Sequence, residues 1–183
     1  MNRLAIIDRS AFAPTLPFTG VRAHLLHAGL IAAAVILPAV AHLTGAPVRV
    51  LLPMHWPVIL AGIVFGWRAG MLAGLASPAV SYLCSGMPFP DMIPGMTIEL
   101  ACYGFIAGFL RERTHLSAFV SVLIALVVGR LALLGASFLA APASLSSVRH
   151  LGAALLPGLP VAVAQVLTLP LLAGWWIRQA RRS

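Results

Sequence analysis

The most conspicuous polar side chains of this sequence lie inside its apolar stretches. Glu99 and Tyr103 are four residues apart, so they share one face of a helix. Arg130 and Gln165 lie near the middle of two later apolar stretches. Because a polar or ionised group is costly in hydrocarbon, each of these four residues is a candidate site.

Glu99 and Arg130 admit two interpretations, and both can hold at once. The two side chains can form an ion pair that joins two helices, or they can contact a polar small molecule. In the second case Arg130 would bind a carboxylate or phosphate, and Glu99 would bind a ring nitrogen or a hydroxyl. The arginine favours an anionic compound such as pantothenate or nicotinate, whereas the glutamate favours a pyrimidine or an amine, so the substrate stays open.

Other candidate contacts lie at a similar predicted depth. Ser77 and Tyr82 belong to one apolar stretch, and His55 and Trp56 belong to a loop. The rings of Trp56, Tyr82 and Tyr103 could stack on an aromatic compound, although membrane interfaces are the commoner place for such residues. For His55, a solvated loop position is the commoner explanation.

Catalysis, a metal site and a permanently bound cofactor have no support in the sequence. The histidines lie near helix ends or in loops, away from any intramembrane serine nucleophile. Cys84 and Cys102 are the two cysteines, and no His or Asp pattern completes a zinc site. The chain contains no lysine and no GxxxxGK loop, so it cannot hydrolyse ATP by that route.

The composition requires lipid as the surrounding solvent. Hydrophobic residues make up 61% of the 183 residues and charged residues only 9%, against about 25% charged residues in soluble domains. We therefore expect an all-α integral membrane protein of the cytoplasmic (inner) membrane. Six apolar segments are predicted as transmembrane helices: 23–43, 57–67, 69–85, 97–110, 116–140 and 151–177. The second and fourth are short for a span of roughly 20 residues.

The arginines predict the orientation, because cytoplasmic loops carry an excess of basic residues. With both termini in the cytoplasm, nine arginines are cytoplasmic and two, Arg49 and Arg149, are external. The opposite orientation reverses these numbers. We therefore expect a cytoplasmic N-terminal segment over 1–22, a six-helix transmembrane domain over 23–177 and a basic cytoplasmic tail over 178–183.

Small residues at a spacing of four predict close helix contacts in lipid. Glycines recur at Gly62, Gly66, Gly70 and Gly74, and again at Gly104 and Gly108. The first predicted helix carries two further sets, Ala28 with Ala32 and Gly29 with Ala33. The glycines favour packing inside the bundle, whereas the face of the first helix can either pack internally or dock a partner protein.

Three segments resemble one known family. They are PMHWPVILAGIVFGWRAG (Pro53 to Gly70), MLAGLASPAVSYLCSGMP (Met71 to Pro88) and ELACYGFIAGFLRER (Glu99 to Arg113). Together they resemble the substrate-binding (S) components of energy-coupling factor (ECF) vitamin transporters, and they cover about a third of the chain. The other predicted helices match that family only in hydropathy and order.

The resemblance implies six helices with both termini in the cytoplasm, and a vitamin or cofactor precursor bound in an outward-facing pocket. It also implies a transmembrane coupling protein and two ATPase subunits as partners, which alone would use ATP. The small-residue face of the first helix would be the docking surface for these partners.

The resemblance also implies which residues contact the substrate. The positions within the matching segments are His55, Trp56, Ser77, Tyr82, Glu99 and Tyr103. Arg130 and Gln165 are added on their predicted depth alone. Cobalt and nickel relatives build their metal site at a free N-terminus that is followed by a histidine. Because Met54 and His55 are internal, no metal site is expected here.

Two alternatives stay open. A non-transporting membrane scaffold of the MreD type, involved in cell shape, would have a similar helical architecture, but it would not need Glu99, Tyr103 and Arg130 to converge. A stand-alone secondary transporter usually shows broken helices in two related halves, and no clear internal repeat is present.

Overall fold

The computed structural model describes residues 15–140 and 156–182, and these residues form a helical bundle without β-strands. The helices are α1 (Val21–Leu43), α2 (Val48–Leu51), α3 (His55–Phe65), α4 (Trp67–Ser85), α5 (Ile93–Arg113), α6 (Ala118–Ala140) and α7 (Leu159–Ala180), the last preceded by a 3-10 turn at Leu156–Gly158. The predicted all-α class is confirmed for these residues, and six of the helices have eleven residues or more.

Four of the described helices are long and apolar enough to cross a membrane: α1, α5, α6 and α7. Helix α3 is apolar but has only 11 residues, and α4 is a 19-residue helix outside that group. Large apolar side chains cover the outside of the bundle, and Leu83 and Leu171 are 82% and 63% exposed. Such a surface fits a lipid environment. The number of six spans and the orientation of the termini stay predictions.

Two helix boundaries differ from the predicted ones at the end of the bundle where α5 begins. Helix α5 starts at Ile93 and ends at Arg113, so it is longer than the predicted 97–110. Pro94 occupies the first turn, where its missing N–H group removes no helical hydrogen bond, and it therefore starts the helix instead of prolonging the loop. The four-residue helix α2 lies in a segment that was predicted to be loop only.

Further differences concern α3, α4 and α7, while α1 and α6 each start two residues away from the predicted position. Helix α3 spans His55–Phe65 rather than 57–67, because Gly66 has a φ of 88° and ends it. Trp67 was predicted as the last residue of that helix but starts α4, where its backbone N–H donates to Glu112 Oε2 at 3.3 Å. Helix α7 begins at Leu159 and continues to Ala180, so part of the predicted 178–183 tail is helical. The predicted helical residues 151–155 lie outside the described residues.

Helix α3 lies at the centre of the bundle. Nine of its eleven residues are buried, and it packs against α1, α4, α5 and α7. A helix that is apolar on all sides is stable only when protein or lipid surrounds it. Its position at the centre explains why a helix too short to span a bilayer is tolerated.

The repeated glycines bring α3, α4 and α5 into backbone contact. A Cβ atom at Gly70 would overlap the carbonyl group of Gly104, and one at Gly104 would overlap the backbone of Gly70. A Cβ at Gly74 would overlap the Leu100 carbonyl in the same way. The prediction that these glycines pack inside the bundle is confirmed. These close backbone contacts fix the depth and rotation of α5 relative to α4.

The two ends of the bundle differ in charge. The end where α3 finishes and α4 starts carries the arginines of the first turns of α1 and α4 and of the last turns of α5 and α7, and we call it the arginine end. Residues before α1 cross this end, where the Leu16 N–H donates to the Val64 carbonyl at 2.7 Å. The opposite end, where α3 and α5 begin, is called the cavity end.

We expect Gly104→Ala to lower the stability of the folded protein by roughly 1–3 kcal/mol or more, because the added methyl group must displace the α4 backbone. Gly135→Ala is the matched control, since a Cβ there would meet nothing within 4 Å. Exchanging Gly for Ala in a helix interior should then be neutral or stabilising by up to about 1 kcal/mol. Thermal unfolding in detergent measures both, and equal midpoints would contradict the proposed contact.

Candidate functional site

A cavity of about 280 Å³ opens at the cavity end. Its walls are formed by Pro38, Ala39, His42, Val48, Leu52, Pro53, Met54, His55, Ser81, Ser85, Met87, Pro88, Phe89, Met92, Met96 and Glu99. These residues come from α1, α2, α3, α4, α5 and the connections between them. The volume lies just below the range of roughly 300–1,000 Å³ that is usual for ligand pockets. It therefore suits a small compound.

A buried ionic cluster lies at the inner wall of this cavity. Glu99 is 4% exposed, and its Oε1 atom accepts a hydrogen bond of 2.6 Å from the Tyr103 hydroxyl group. The same oxygen lies 2.9 Å from Nη1 of Arg130 on α6. The predicted ion pair between α5 and α6 is therefore present. Such a pair offsets the large cost of removing a carboxylate from water.

Arg130 lies between this carboxylate and the start of α7. Its guanidinium group reaches towards Gly158, where a Cβ atom would lie 2.8 Å from Nη2. Arg130 is absent from the cavity wall, although its partner Glu99 belongs to it. The Arg130 side chain is nevertheless the more exposed of the pair, at 23% against 5% for Glu99.

A glycine that the sequence analysis did not single out positions the cluster. A Cβ atom at Gly129 would overlap the Tyr103 ring and would lie 3.2 Å from the Glu99 carbonyl oxygen. The absence of a side chain at Gly129 lets the Tyr103 ring lie flat against α6. The sequence signal for Gly129 was its position directly before Arg130, the only arginine in the predicted helix 116–140.

His55 contributes an imidazole ring to the same wall. It is the first residue of α3 and is 4% exposed, so the expectation of a solvated loop histidine is wrong. Its Nε2 atom lies 3.7 Å from Glu99 Oε1, and its ring centroid lies 5.3 Å from that of Tyr103. Neither ring nitrogen has a hydrogen-bond partner among the described residues. A buried polar group without a partner is unusual, and a guest molecule can supply one.

Two predicted contacts on α4 lie away from the cavity wall. The Ser77 hydroxyl group is fully buried and donates to the Ala73 carbonyl at 2.6 Å, within its own helix. Tyr82 is 38% exposed on the outside of α4. The cavity is instead lined by Ser81, which is one turn from Ser77 and next to Tyr82. Successive helical residues point about 100° apart, so Ser81 lines the cavity while Ser77 and Tyr82 do not. Substrate contact by Ser77 and Tyr82 stays a prediction.

Trp56 and Gln165 are also absent from the cavity wall. The Trp56 indole N–H donates to the Leu51 carbonyl at 3.1 Å, which joins α3 to α2. Gln165 is fully buried on α7, and neither polar atom of its amide group has a partner among the described residues. Of the residues predicted to contact a substrate, the structure therefore brings Glu99, Tyr103, Arg130 and His55 together. Substrate contact by any of them stays a prediction.

Methionines form much of the remaining wall. Four of the chain's six methionines line the cavity: Met54, Met87, Met92 and Met96. The thioether group is polarizable and adapts to irregular shapes, and it makes favourable contacts with the edges of aromatic rings. The sequence signal was the recurrence of methionine in the proline-rich segment 87–96. The wall is therefore apolar, adaptable and suited to a flat ring.

The arginine end has a larger but more open depression of about 630 Å³. Arg22, Trp175, Trp176, Gln179, Ala180 and Arg182 line it. Tryptophan and arginine are common at membrane–water interfaces, so this depression needs no ligand to explain its composition. The smaller cavity holds the buried ionic cluster, and we assign the candidate site to it.

The small-residue face of α1 points away from the bundle. Ala28, Gly29 and Ala32 are exposed and Ala33 is half-buried. A Cβ atom at Gly29 would meet nothing within 4 Å. Of the two interpretations of this face, internal packing is therefore not observed within the described residues. Docking of a partner at this face stays a prediction.

We expect Arg130→Ala to destabilise the protein by up to about 3 kcal/mol, because it leaves the Glu99 carboxylate buried without its counter-charge. Adding Glu99→Gln should recover much of the loss, since a neutral amide needs no counter-charge and still accepts from Tyr103. Arg113→Ala, on an exposed side chain of the arginine end, is the control and should change stability by less than about 0.5 kcal/mol. Thermal unfolding compares them, and a double variant less stable than Arg130→Ala would contradict the pairing.

Comparison with known proteins agrees with this arrangement. A family model described as "ECF transporter, substrate-specific component" matches residues 26–174, which is most of the chain. Comparisons with curated proteins and with solved structures gave no match. The matched range includes α3, α4, α5 and α6 in full, and with them the cavity and its ionic cluster. This is a family of membrane transporter components rather than of enzymes, and the chain belongs to it: the substrate-specific components of ECF transporters.

Proposed function

We propose that this chain captures a water-soluble vitamin or cofactor precursor at the cavity end and delivers it to an ECF-type importer. The observation that carries the proposal is the buried cluster of Glu99, Tyr103 and Arg130 beside the unpartnered imidazole of His55, at the wall of a cavity. Well-packed apolar side chains would stabilise an apolar bundle at least as well as these polar groups do. Their retention beside an opening favours a binding role.

The surrounding parts have distinct roles in this proposal. The segments between α1 and α3 and between α4 and α5 form the rim through which a compound enters. The cavity end faces outside and both termini are cytoplasmic, in agreement with the arginines at the opposite end. A transmembrane coupling protein and two ATPase subunits supply the energy, and only these partners use ATP. The chain itself needs no permanent cofactor.

A membrane scaffold of the MreD type and a stand-alone secondary transporter are the competing functions. A scaffold does not require a cavity whose wall has unpartnered polar atoms. A stand-alone transporter should catalyse uptake without ATPases, so reconstitution of the purified chain alone in liposomes distinguishes it from the function proposed here.

We expect Ser81→Phe to abolish capture, because a phenyl ring at this 2% exposed position would fill the cavity. Leu83→Phe is the matched control two residues away, where the side chain is 82% exposed and outside the cavity. The measurement is mass spectrometry of the small molecules released when each purified protein is denatured. A compound that is present in the native protein and in Leu83→Phe but absent from Ser81→Phe supports the proposal. Identical small-molecule profiles for all three proteins would overturn it.

We expect replacement of Ala28 and Ala32 together by leucine to block assembly with the coupling protein while leaving the copurified compound in place. The bulk would fall on the exposed small-residue face of α1, where close backbone approach is possible only with small residues. Replacing the half-buried Ala76 and the exposed Ala79 of α4 by leucine adds the same volume on another helix and serves as the control. Co-purification with the tagged coupling protein measures assembly, and normal assembly of the α1 variant would exclude this face.

A further inference from the structure

Among the described side chains that line the cavity, one is an acid and none is an arginine. The acid is Glu99, whereas Arg130 is not part of the lining and its side chain is 23% exposed. An incoming compound therefore meets the carboxylate in the cavity. A carboxylate or phosphate on that compound would approach the acidic side of the Glu99–Arg130 pair, which is less favourable than the approach of an uncharged or cationic group.

The geometry of Glu99 leaves one oxygen for a guest. The contacts of Glu99 with Tyr103, Arg130 and His55 all fall on Oε1. The other oxygen, Oε2, takes part in none of these closest contacts, although a carboxylate can accept about two hydrogen bonds at each oxygen. Oε2 is thus an acceptor that matches an N–H or O–H donor on the compound.

Another polar group of the wall is the His55 imidazole, which is uncharged when unprotonated and can either donate or accept a hydrogen bond. Both nitrogens of the His55 ring lack partners among the described residues, and the ring lies 3.7 Å from the Glu99 carboxylate. The Glu99 oxygen and the imidazole nitrogens thus present hydrogen-bonding atoms close together. The four methionine thioethers supply apolar contact surface in the same wall.

We infer that the compound bound here is a small aromatic heterocycle, uncharged or cationic, whose N–H or O–H edge donates to Glu99 Oε2, and that carboxylates and phosphates are rejected. This inference rests on the proposed function and selects between the two substrate classes that Arg130 and Glu99 separately suggested. The pairing of Arg130 with Glu99 directs the arginine to the carboxylate, and of the two side chains only Glu99 lines the cavity. The cavity volume of about 280 Å³ further favours a compound of one or two rings over a nucleotide.

Matched pairs of compounds test the charge preference. Binding of nicotinamide and nicotinate, and of pyridoxine and pyridoxine 5′-phosphate, is measured on the purified protein by equilibrium dialysis. In any pair that binds, the uncharged member should bind at least about tenfold tighter, which corresponds to about 1.4 kcal/mol. Tighter binding of an acid or phosphate member would overturn the inference.

The variant Glu99→Gln tests the residue that carries the argument. It keeps the shape of the side chain but removes its charge, so the uncharged member should bind at least about tenfold more weakly and the preference over the acid should shrink. Glu112→Gln at the arginine end is the control and should leave the preference unchanged. An unaltered preference in Glu99→Gln would exclude Glu99 as its source.

Identification of the copurified compound separates this inference from the proposed function. A cavity-dependent compound without carboxylate or phosphate groups supports both. A carboxylate or phosphate compound that Ser81→Phe removes overturns the inference but not the proposed function. Copper bound stoichiometrically through the methionines, detected by metal analysis, also overturns the inference alone. If the native protein carries no compound that is lost in Ser81→Phe, the proposed function is overturned, and this inference with it.

Discussion

The structure depends on one buried carboxylate and on how its charge is compensated. Glu99 lies within an apolar bundle, where an isolated carboxylate would be prohibitively costly. A single oxygen of this group contacts both Tyr103 from its own helix and Arg130 from the next one. This arrangement stabilises the charge at the wall of the cavity. The ionic cluster therefore joins α5 to α6, and in the proposed function it also contacts the substrate.

The cluster works only if α5 has a defined depth and rotation, and small residues provide this. Close backbone contact at Gly70 and Gly104 fixes α5 against α4, and Gly129 admits the Tyr103 ring against α6. In lipid, helices gain little from the hydrophobic effect on association, so close packing and polar contacts must hold them. The glycines therefore fix the distance between the helices, and the ionic cluster fixes which residues of α5 and α6 face each other.

The helices were largely predictable because the membrane imposes long apolar runs. The errors fell at boundaries, where single residues decide: Pro94 started α5 early, and Gly66 ended α3 before Trp67. For the site, Glu99 and Tyr103 were recognisable because polar residues in apolar stretches are costly. Spacing along a helix does not reveal which face points to a cavity, so Ser81, which lines it, could not be distinguished from Ser77.

From the sequence alone came the membrane environment, the helical class, the family resemblance and the candidate status of Glu99 and Arg130. Those features follow from composition and local pattern. Only the tertiary structure paired Arg130 with Glu99, put His55 at the wall and left Ser77 outside it. The physical reason is that charge compensation and cavity shape depend on distances between helices that are far apart in the chain. Hydropathy specifies that each helix is apolar, but the packing of glycines and ions determines where its few polar atoms point.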